Sequence, residues 1–284
     1  MNTPKEIIHQ YGIKPRKRLG QSFLLDKNII QKIAAAADIS EDDLVLEIGS
    51  GIGVLTEEIA AKARRLIAVE LDEKLSELLK DKLARHNNVE INNTDILKFN
   101  FCSLSDEYET KIKVVGNVPY NISSPLIFYL LSYRHVISDF TLMLQKEVVE
   151  RLVAMPDNKS YGVPSVILQM FAEVEKVLDV PATCFYPRPK VESAVIKGAF
   201  REKPLVVLAD EDFFIKLVKA AFAQRRKTLL NNLKRTALMA NVPEEKIREA
   251  LEEARIDGRR RGETLSVVEF GHLANILKIH KAHS

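Results

Sequence analysis

The middle of the chain alternates short aliphatic runs with amphipathic helical patterns, and this alternation limits the folds that are open to it. The strand candidates are residues 44–48, 66–70, 89–92, 112–116, 140–145 and 191–200. Residues 56–63 and 73–85 between them carry apolar side chains at three- and four-residue spacing. Strands that alternate with crossover helices predict an α/β fold with a parallel, Rossmann-like sheet.

After about residue 205 the strand signals stop. The helix candidates there are residues 213–223, 227–238, 244–254 and 267–279, separated by a proline-containing link and by Gly258. We therefore expect two domains, residues 1–204 and a small all-helical domain at 205–284. The segments 155–164 and 181–189 interrupt the pattern, and we expect both to be loops near a site.

Composition narrows the class of protein. At 46% hydrophobic residues in 284, the chain has ample material for a core. No apolar run approaches the roughly 20 residues of a membrane span, and the start of the chain lacks a signal-peptide core, so we expect a cytoplasmic protein.

The two cysteines, Cys102 and Cys184, lie far apart, which fits neither a disulfide framework nor a zinc site. We interpret both as packing residues and expect no metal.

Positive charge is concentrated at the two ends of the chain. Residues 1–20 carry a net charge of +4, residues 21–200 carry −6 and residues 201–284 carry +5. An acidic body with basic ends suits a polyanion such as nucleic acid. Solvated charged helices would give the same count.

A glycine-rich turn, Gly49-Ser50-Gly51-Ile52-Gly53, follows the first strand directly. Such a turn lets a ligand approach the backbone closely. A dinucleotide fingerprint needs its third glycine where this chain has Val54, which argues against a pyrophosphate ligand. An acid within the strand, Glu47, followed by glycines at alternate positions is typical of S-adenosylmethionine enzymes.

Acidic residues follow the next two strands. Glu70 closes the second strand, 19 residues after Gly51, where a carboxylate can accept hydrogen bonds from both hydroxyls of a ribose. Asp95 follows the third strand, where it can accept a hydrogen bond from an adenine amine. Either residue could instead be a helix cap or a surface acid.

The fourth strand ends in Gly116-Asn117-Val118-Pro119-Tyr120. The Asn117 side-chain carbonyl and the Val118 backbone carbonyl could accept both hydrogens of an exocyclic base amine, whose lone pair would then turn toward an electrophile. Pro119 would fix the backbone, and Tyr120 would stack on the base. The alternative is an ordinary loop that ends a strand, since Asn and Pro are common turn residues.

Together these motifs resemble the ribosomal RNA adenine dimethyltransferases, and the likeness runs from about residue 12 to about residue 275. Further matching segments are Arg16-Lys17-Arg18-Leu19-Gly20-Gln21-Ser22-Phe23-Leu24, Leu144-Gln145-Lys146-Glu147-Val148, Phe185-x-Pro187-x-Pro189-Lys190-Val191-x-Ser193-Ala194-Val195 and Gln224-Arg225-Arg226-Lys227-Thr228.

The resemblance implies a Rossmann-like S-adenosylmethionine-dependent methyltransferase. Its substrate would be two adjacent adenosines in a hairpin loop near the 3′ end of small-subunit ribosomal RNA, each converted to N6,N6-dimethyladenosine. The implied partner is the small ribosomal subunit, with a role in its biogenesis, and the family is generally monomeric. The implied cofactor contacts are Ser22, Leu24, Gly49, Glu70, Asp95 and Asn117, beside Gly51 of the turn. The family usually has Asn where this chain has Ser22, which would shorten a side-chain contact but leave a backbone one.

Two further roles follow from this interpretation. We expect Phe185 to stack on the flipped base opposite Tyr120, with core packing as the alternative. The basic segments 14–18, 225–227 and 259–261 would contact phosphates without reading sequence, although such runs are also common on solvated faces.

Two alternatives stay open, and a third is disfavoured. A large-subunit adenine methyltransferase of the antibiotic-resistance type shares the cofactor and Asn-x-Pro-Tyr motifs. A mainly non-catalytic ribosome-assembly factor could keep the same scaffold. A nicotinamide dehydrogenase is disfavoured by Val54 and by the lack of a suitable histidine near the strand ends.

Overall fold

The structure is a computed structural model that describes residues 6, 8 and 11–282. It forms two compact units: one contains the residues up to Val149 together with Val174–Phe200, and the other contains Glu150–Glu173 together with the residues from Arg201 onward. The division predicted at 204/205 was linear, whereas segment 150–173 groups with the C-terminal helices. Long-range hydrogen bonds explain this grouping, because the Tyr161 hydroxyl donates to the Leu265 carbonyl at 2.9 Å.

Nine strands among the described residues form two sheets. In chain order they are β1 Phe23–Leu24, β2 Leu44–Ile48, β3 Arg65–Val69, β4 Val89–Asn92, β5 Ile112–Asn117, β6 Ile137–Gln145, β7 Ala172–Val180, β8 Phe185–Tyr186 and β9 Ser193–Phe200. Seven of them form the main sheet in the order β4-β3-β2-β5-β6-β9-β7, and β1 pairs with β8. The five neighbouring strands β4, β3, β2, β5 and β6 are parallel to one another, and β9 is antiparallel to β6.

Eleven α-helices lie wholly within residues 11–282. They are α1 Lys27–Ala36, α2 Val54–Ala60, α3 Glu73–Leu83, α4 Phe101–Tyr108, α5 Ser123–Ser132, α6 Lys146–Leu152, α7 Val163–Phe171, α8 Glu211–Ala221, α9 Leu229–Leu233, α10 Glu244–Glu253 and α11 Val267–Ala282. Within this described part of the chain, no helix is long and apolar enough to cross a membrane.

The strand order determines where a ligand can bind. From β2 the chain passes to β3 and β4 on one side and then returns to β5 on the other. In open α/β sheets, the crevice at such a reversal, beyond the carboxyl ends of the strands, is where ligands bind. All five residues of β2 are buried, including the charged residue Glu47. Central parallel strands are covered on both faces, so a buried acid among aliphatic residues is an exception that calls for a reason.

The predicted Rossmann-like sheet and C-terminal helices are confirmed. Two predicted strands, 44–48 and 89–92, match the structure, and the other four differ by one to three residues at one or both ends. Strand β7 was not predicted, because its charged residues give no continuous apolar run. The predicted helix at 227–238 was too long. The Thr228 hydroxyl accepts a hydrogen bond from the Asn231 N–H as an N-cap, so the helix starts after it, and α9 ends at Leu233.

Candidate active site

A cavity of about 260 Å³ lies at the carboxyl ends of β2, β3 and β5, within the first unit. It brings together nine of the ten residues that the sequence predicts for the site. These are Ser22, Leu24, Gly49, Gly51, Glu70, Asp95, Asn117, Pro119 and Tyr120. The tenth, Phe185, does not line the cavity.

The glycine turn forms one wall of the cavity. Gly49 has a φ of +70°, and a Cβ atom there would lie 3.0 Å from the carbonyl oxygen of Asn117. Gly51 has a φ of +58°, and its Cβ would lie 3.3 Å from the ring of Phe23. Larger residues at either position would strain the backbone and reduce the space between the turn and its neighbours.

Glu70 is held by two backbone groups. Its carboxylate accepts hydrogen bonds from the N–H groups of Gly51 and Asp72, each at 2.9 Å. Burial raises the pKa of Glu70, and these two hydrogen bonds oppose that shift. The carboxylate is thereby fixed at the end of β3. Each of its oxygens has a second lone pair that can accept a hydrogen bond from a ligand hydroxyl.

Glu47 lies beneath the glycine turn and also lines the cavity. Burial raises the pKa of its carboxyl group to about 7, although the Thr56 hydroxyl donates a hydrogen bond to it at 2.6 Å. The nearby carboxylate of Glu70 raises the pKa further. A carboxyl group that titrates near neutrality beside a cavity responds to the charge of whatever binds there.

Lys82 holds the glycine turn in place, a role that the sequence analysis did not predict. Its Nζ donates hydrogen bonds to the carbonyl oxygens of Ile52 and Gly53, at 3.0 and 3.3 Å. It also forms an ion pair with Glu57 at 3.1 Å. Nothing in the helical pattern of α3 distinguishes this lysine from a solvated one, since its role depends on the fold of the glycine turn.

Asp95 serves as a cap and as a cavity residue. Its Oδ1 accepts a hydrogen bond from the Leu97 N–H at 3.0 Å and so caps the short 3₁₀ turn Ile96–Lys98. The cap that the sequence offered as an alternative therefore exists. It does not remove the residue from the site, because Asp95 lines the cavity and a carboxylate has further acceptor capacity.

Asn117 is the last residue of β5, and its side chain reaches the N-terminal segment. Its Nδ2 donates a hydrogen bond to the carbonyl oxygen of Ser22 at 3.2 Å. The Ser22 hydroxyl donates to the Pro187 carbonyl at 2.6 Å. The side chain of Ser22 is thus engaged with the proline-rich loop, while its backbone orients Asn117.

Tyr120 is held through its hydroxyl group, which lies 2.7 Å from the buried hydroxyl of Ser193. Burial raises the pKa of Tyr120, although its hydrogen bond with Ser193 opposes that shift. The proline-rich motif that contains Ser193 therefore contributes to the site by fixing an aromatic ring at the cavity wall.

Phe185 is 5% exposed and packs in the core with Leu24, Val180 and Val195. It pairs with Leu24 across β1 and β8, so it lies on the strand next to a residue that lines the cavity. The structure shows the core packing that was the alternative for this residue, and its stacking role stays a prediction.

The two C-terminal basic runs lie side by side, because the Leu229 N–H donates to the Arg260 carbonyl. Several arginines of these two runs form ion pairs with acidic residues of the second unit. Arg225 pairs with Glu263 at 2.6 Å, and Arg260 pairs with Glu269 at 2.5 Å. Arg259 pairs with Asp257 at 2.9 Å. These ion pairs leave Arg226, Lys227 and Arg261 as exposed cations for which the described part of the structure shows no ion pair.

Comparison with known proteins agrees with this geometry. The sequence profile of the family described as "Ribosomal RNA adenine dimethylase" matches residues 12–272. The chain belongs to the ribosomal RNA adenine dimethylase family. Membership in this methyltransferase family implies use of S-adenosylmethionine as methyl donor, and it makes the chain a ribosomal RNA adenine N6,N6-dimethyltransferase.

A curated relative and two solved structures match most of the chain. "Ribosomal RNA small subunit methyltransferase A" of Bacillus mycoides (strain KBAB4) is 43% identical over 283 residues, which are 99% of this chain and 97% of that protein. A dimethyladenosine transferase from Plasmodium falciparum is 30% identical with a TM-score of 0.79, covering 88% of this chain and 95% of that one. The 23S rRNA methyltransferase ErmE is 27% identical with a TM-score of 0.71, covering 90% and 99%.

Proposed function

We propose that this dimethylase transfers methyl groups from S-adenosylmethionine to the N6 amines of two adjacent adenosines in the 3′-terminal hairpin loop of small-subunit ribosomal RNA. Four transfers per RNA complete the reaction, which is part of small-subunit biogenesis. The observation that carries the proposal is the meeting of Asn117, Pro119 and Tyr120 with Gly49, Glu70 and Asp95 around one cavity. We further propose that the protein acts in the cytoplasm as a monomer.

The residues of the cavity fit the cofactor. The absence of side chains at Gly49 and Gly51 leaves room for a ligand against the backbone. Glu70 is oriented to accept hydrogen bonds from ribose hydroxyls, and Asp95 from the adenine amine. S-adenosylmethionine, when bound, supplies an electrophilic methyl group on a sulfonium centre.

The residues after β5 act on the target base. An exocyclic amine is a poor nucleophile because its lone pair is delocalised into the ring. The Oδ1 atom of Asn117 and the backbone carbonyl of Val118 accept the two amine hydrogens, which draws the nitrogen toward tetrahedral geometry. Tyr120 stacks on the flipped base and holds it in place, so the acceleration comes mainly from positioning.

RNA binding is assigned to basic side chains at both ends of the chain. Arg226, Lys227 and Arg261 of the second unit remain exposed for phosphate contacts. The N-terminal basic segment 14–18 supplies Lys14 and Arg18, which are exposed. Such contacts position the RNA and make its binding salt-dependent.

The alternative substrate is large-subunit RNA. The structural likeness to the 23S rRNA methyltransferase ErmE supports this alternative. Identity favours the small subunit, since it is 43% to the small-subunit methyltransferase and 27% to ErmE. A mainly non-catalytic assembly factor is disfavoured by the intact cavity.

The test is to incubate the protein with labelled S-adenosylmethionine and purified under-methylated small or large subunits, and then to map the modified nucleosides by mass spectrometry of nuclease digests. The expected result is dimethyladenosine at two adjacent positions in small-subunit RNA. Label confined to large-subunit RNA would establish the alternative instead.

A further inference from the structure

Asp72 is a buried acid beside the cofactor cavity, and neither the sequence motifs nor the proposed reaction gives it a role. It precedes α3 and is 4% exposed. Its Oδ1 accepts a hydrogen bond from the Lys74 N–H at 3.1 Å and so caps α3. A helix cap needs one oxygen and tolerates exposure, so capping alone does not explain why both oxygens are engaged.

The second oxygen binds the N-terminal segment. Asp72 Oδ2 accepts a hydrogen bond from Gln21 Nε2 at 2.9 Å, and Arg16 Nε lies 3.3 Å from the same oxygen. The backbone N–H of Arg16 in turn donates a hydrogen bond to Gln21 Oε1 at 2.7 Å. Residues 16–24, which we call the strap, are therefore folded onto one buried carboxylate.

The strap forms a wall of the cofactor cavity, since each residue from Leu19 to Leu24 lines it. Its far end is fixed by the pairing of β1 with β8, and its middle by the hydrogen bond from Asn117 to Ser22. Asp72 provides the attachment at the near end. The same residue donates its backbone N–H to Glu70, so it joins the strap to the carboxylate proposed to bind the ribose.

We propose that Asp72 is a positioning residue that holds the strap closed over the cofactor, and that release of its contacts with Gln21 and Arg16 sets the rate at which cofactor and product exchange. This inference rests on the proposed function insofar as it takes the cavity ligand to be the cofactor. Loss of a charge-assisted hydrogen bond within a buried site is expected to change an equilibrium or a rate by roughly tenfold or more.

The decisive variants exchange donor and acceptor. Asp72→Asn keeps a side chain that can cap α3 but turns an NH₂ group toward the NH₂ group of Gln21, so the strap contact is lost. Gln21→Glu alone places two carboxylates face to face. The combination of Asp72→Asn with Gln21→Glu restores one hydrogen bond with its direction reversed and keeps an acceptor for the Arg16 N–H. Glu73→Gln, an exposed acid in the same turn of α3, is the matched control.

Two readouts are needed. The first is the dissociation rate of S-adenosylhomocysteine by stopped-flow displacement. We expect it to rise about tenfold in each single variant, to return to within about threefold of wild type in the combination, and to be unchanged in Glu73→Gln. The second is the rate of tryptic cleavage within residues 16–18 of the ligand-free protein, which should follow the same order.

Equal dissociation and cleavage rates in wild type and both single variants would overturn the proposal. So would failure of the combination to restore both rates while far-UV circular dichroism shows an intact fold, since that result would leave Asp72 as a helix cap only. If wild type does not bind S-adenosylhomocysteine, the proposed function fails, and the tryptic series still decides whether Asp72 holds the strap.

Discussion

The Nδ2 atom of Asn117 donates a hydrogen bond to the carbonyl oxygen of Ser22, over 3.2 Å. Because a carbonyl oxygen can only accept, this contact decides which end of the amide faces Ser22. The Oδ1 atom is therefore the one left to accept a hydrogen from a target amine. The N-terminal segment thus orients the side chain on which the proposed chemistry depends.

Asn117→Asp tests this orientation. The carboxylate has nearly the same shape but places an acceptor against the Ser22 carbonyl, so we expect the side chain to turn away. The single-turnover methylation rate at saturating RNA should fall about 10²- to 10³-fold, as when a positioned polar group is removed from an active site. Filter binding of the RNA substrate should not change. A variant that methylates at the wild-type rate would show that the Ser22 contact does not orient the reaction.

The buried carboxyl group of Glu47 should make the free energy of unfolding depend on pH. Burial raises the pKa of its carboxyl group from 4.5 to about 7, so the folded protein retains a proton that the unfolded chain loses as the pH rises from 4.5. The contribution of this group to the free energy of unfolding is therefore fully present below pH 4.5 and is lost by about pH 7. At 1.36 kcal/mol per pKa unit the loss is ~3 kcal/mol.

Urea denaturation between pH 4.5 and 8 measures this effect. The unfolding free energy of wild type should fall relative to that of Glu47→Gln as the pH rises, because the variant lacks the titrating group. Parallel curves for the two proteins would contradict the account.

Tyr120→Phe separates the ring of Tyr120 from its hydroxyl. The change leaves the buried Ser193 hydroxyl without its 2.7 Å partner, which should lower the unfolding free energy by about 1–3 kcal/mol. The ring that stacks on the base is retained, so we expect methylation to fall only a few-fold. Tyr120→Ala removes the ring and should reduce methylation far more. Equal losses in the two variants would argue against stacking.

The exposed and paired cations of the second unit should behave differently. Arg226→Ala combined with Lys227→Ala should weaken binding to small subunits and reduce the slope of log affinity against log salt by about two, one for each phosphate contact. The thermal midpoint should not change. Arg260→Ala should instead lower the thermal midpoint, because it removes the partner of Glu269. Unchanged salt dependence in the double variant would remove these side chains from the RNA-binding surface.

Much of the candidate site follows from the sequence, because the carboxyl ends of parallel strands meet at one edge of a sheet. That rule was sufficient to bring Glu70, Asp95 and Asn117 together. It could not place Gln21 against Asp72, since these residues are 51 positions apart and no periodicity links them. It also could not show that Phe185 is buried, because a two-residue strand such as β8 carries no pattern of its own.

The most direct test of the central claim is methyl transfer from labelled S-adenosylmethionine to under-methylated small subunits, comparing wild type with Asn117→Ala and using large subunits as the control. The account predicts label as dimethyladenosine in small-subunit RNA with wild type, none in large subunits, and loss of the label with Asn117→Ala. Wild-type protein that binds small subunits tightly but transfers no label, or an Asn117→Ala variant that labels them at the wild-type rate, would contradict it.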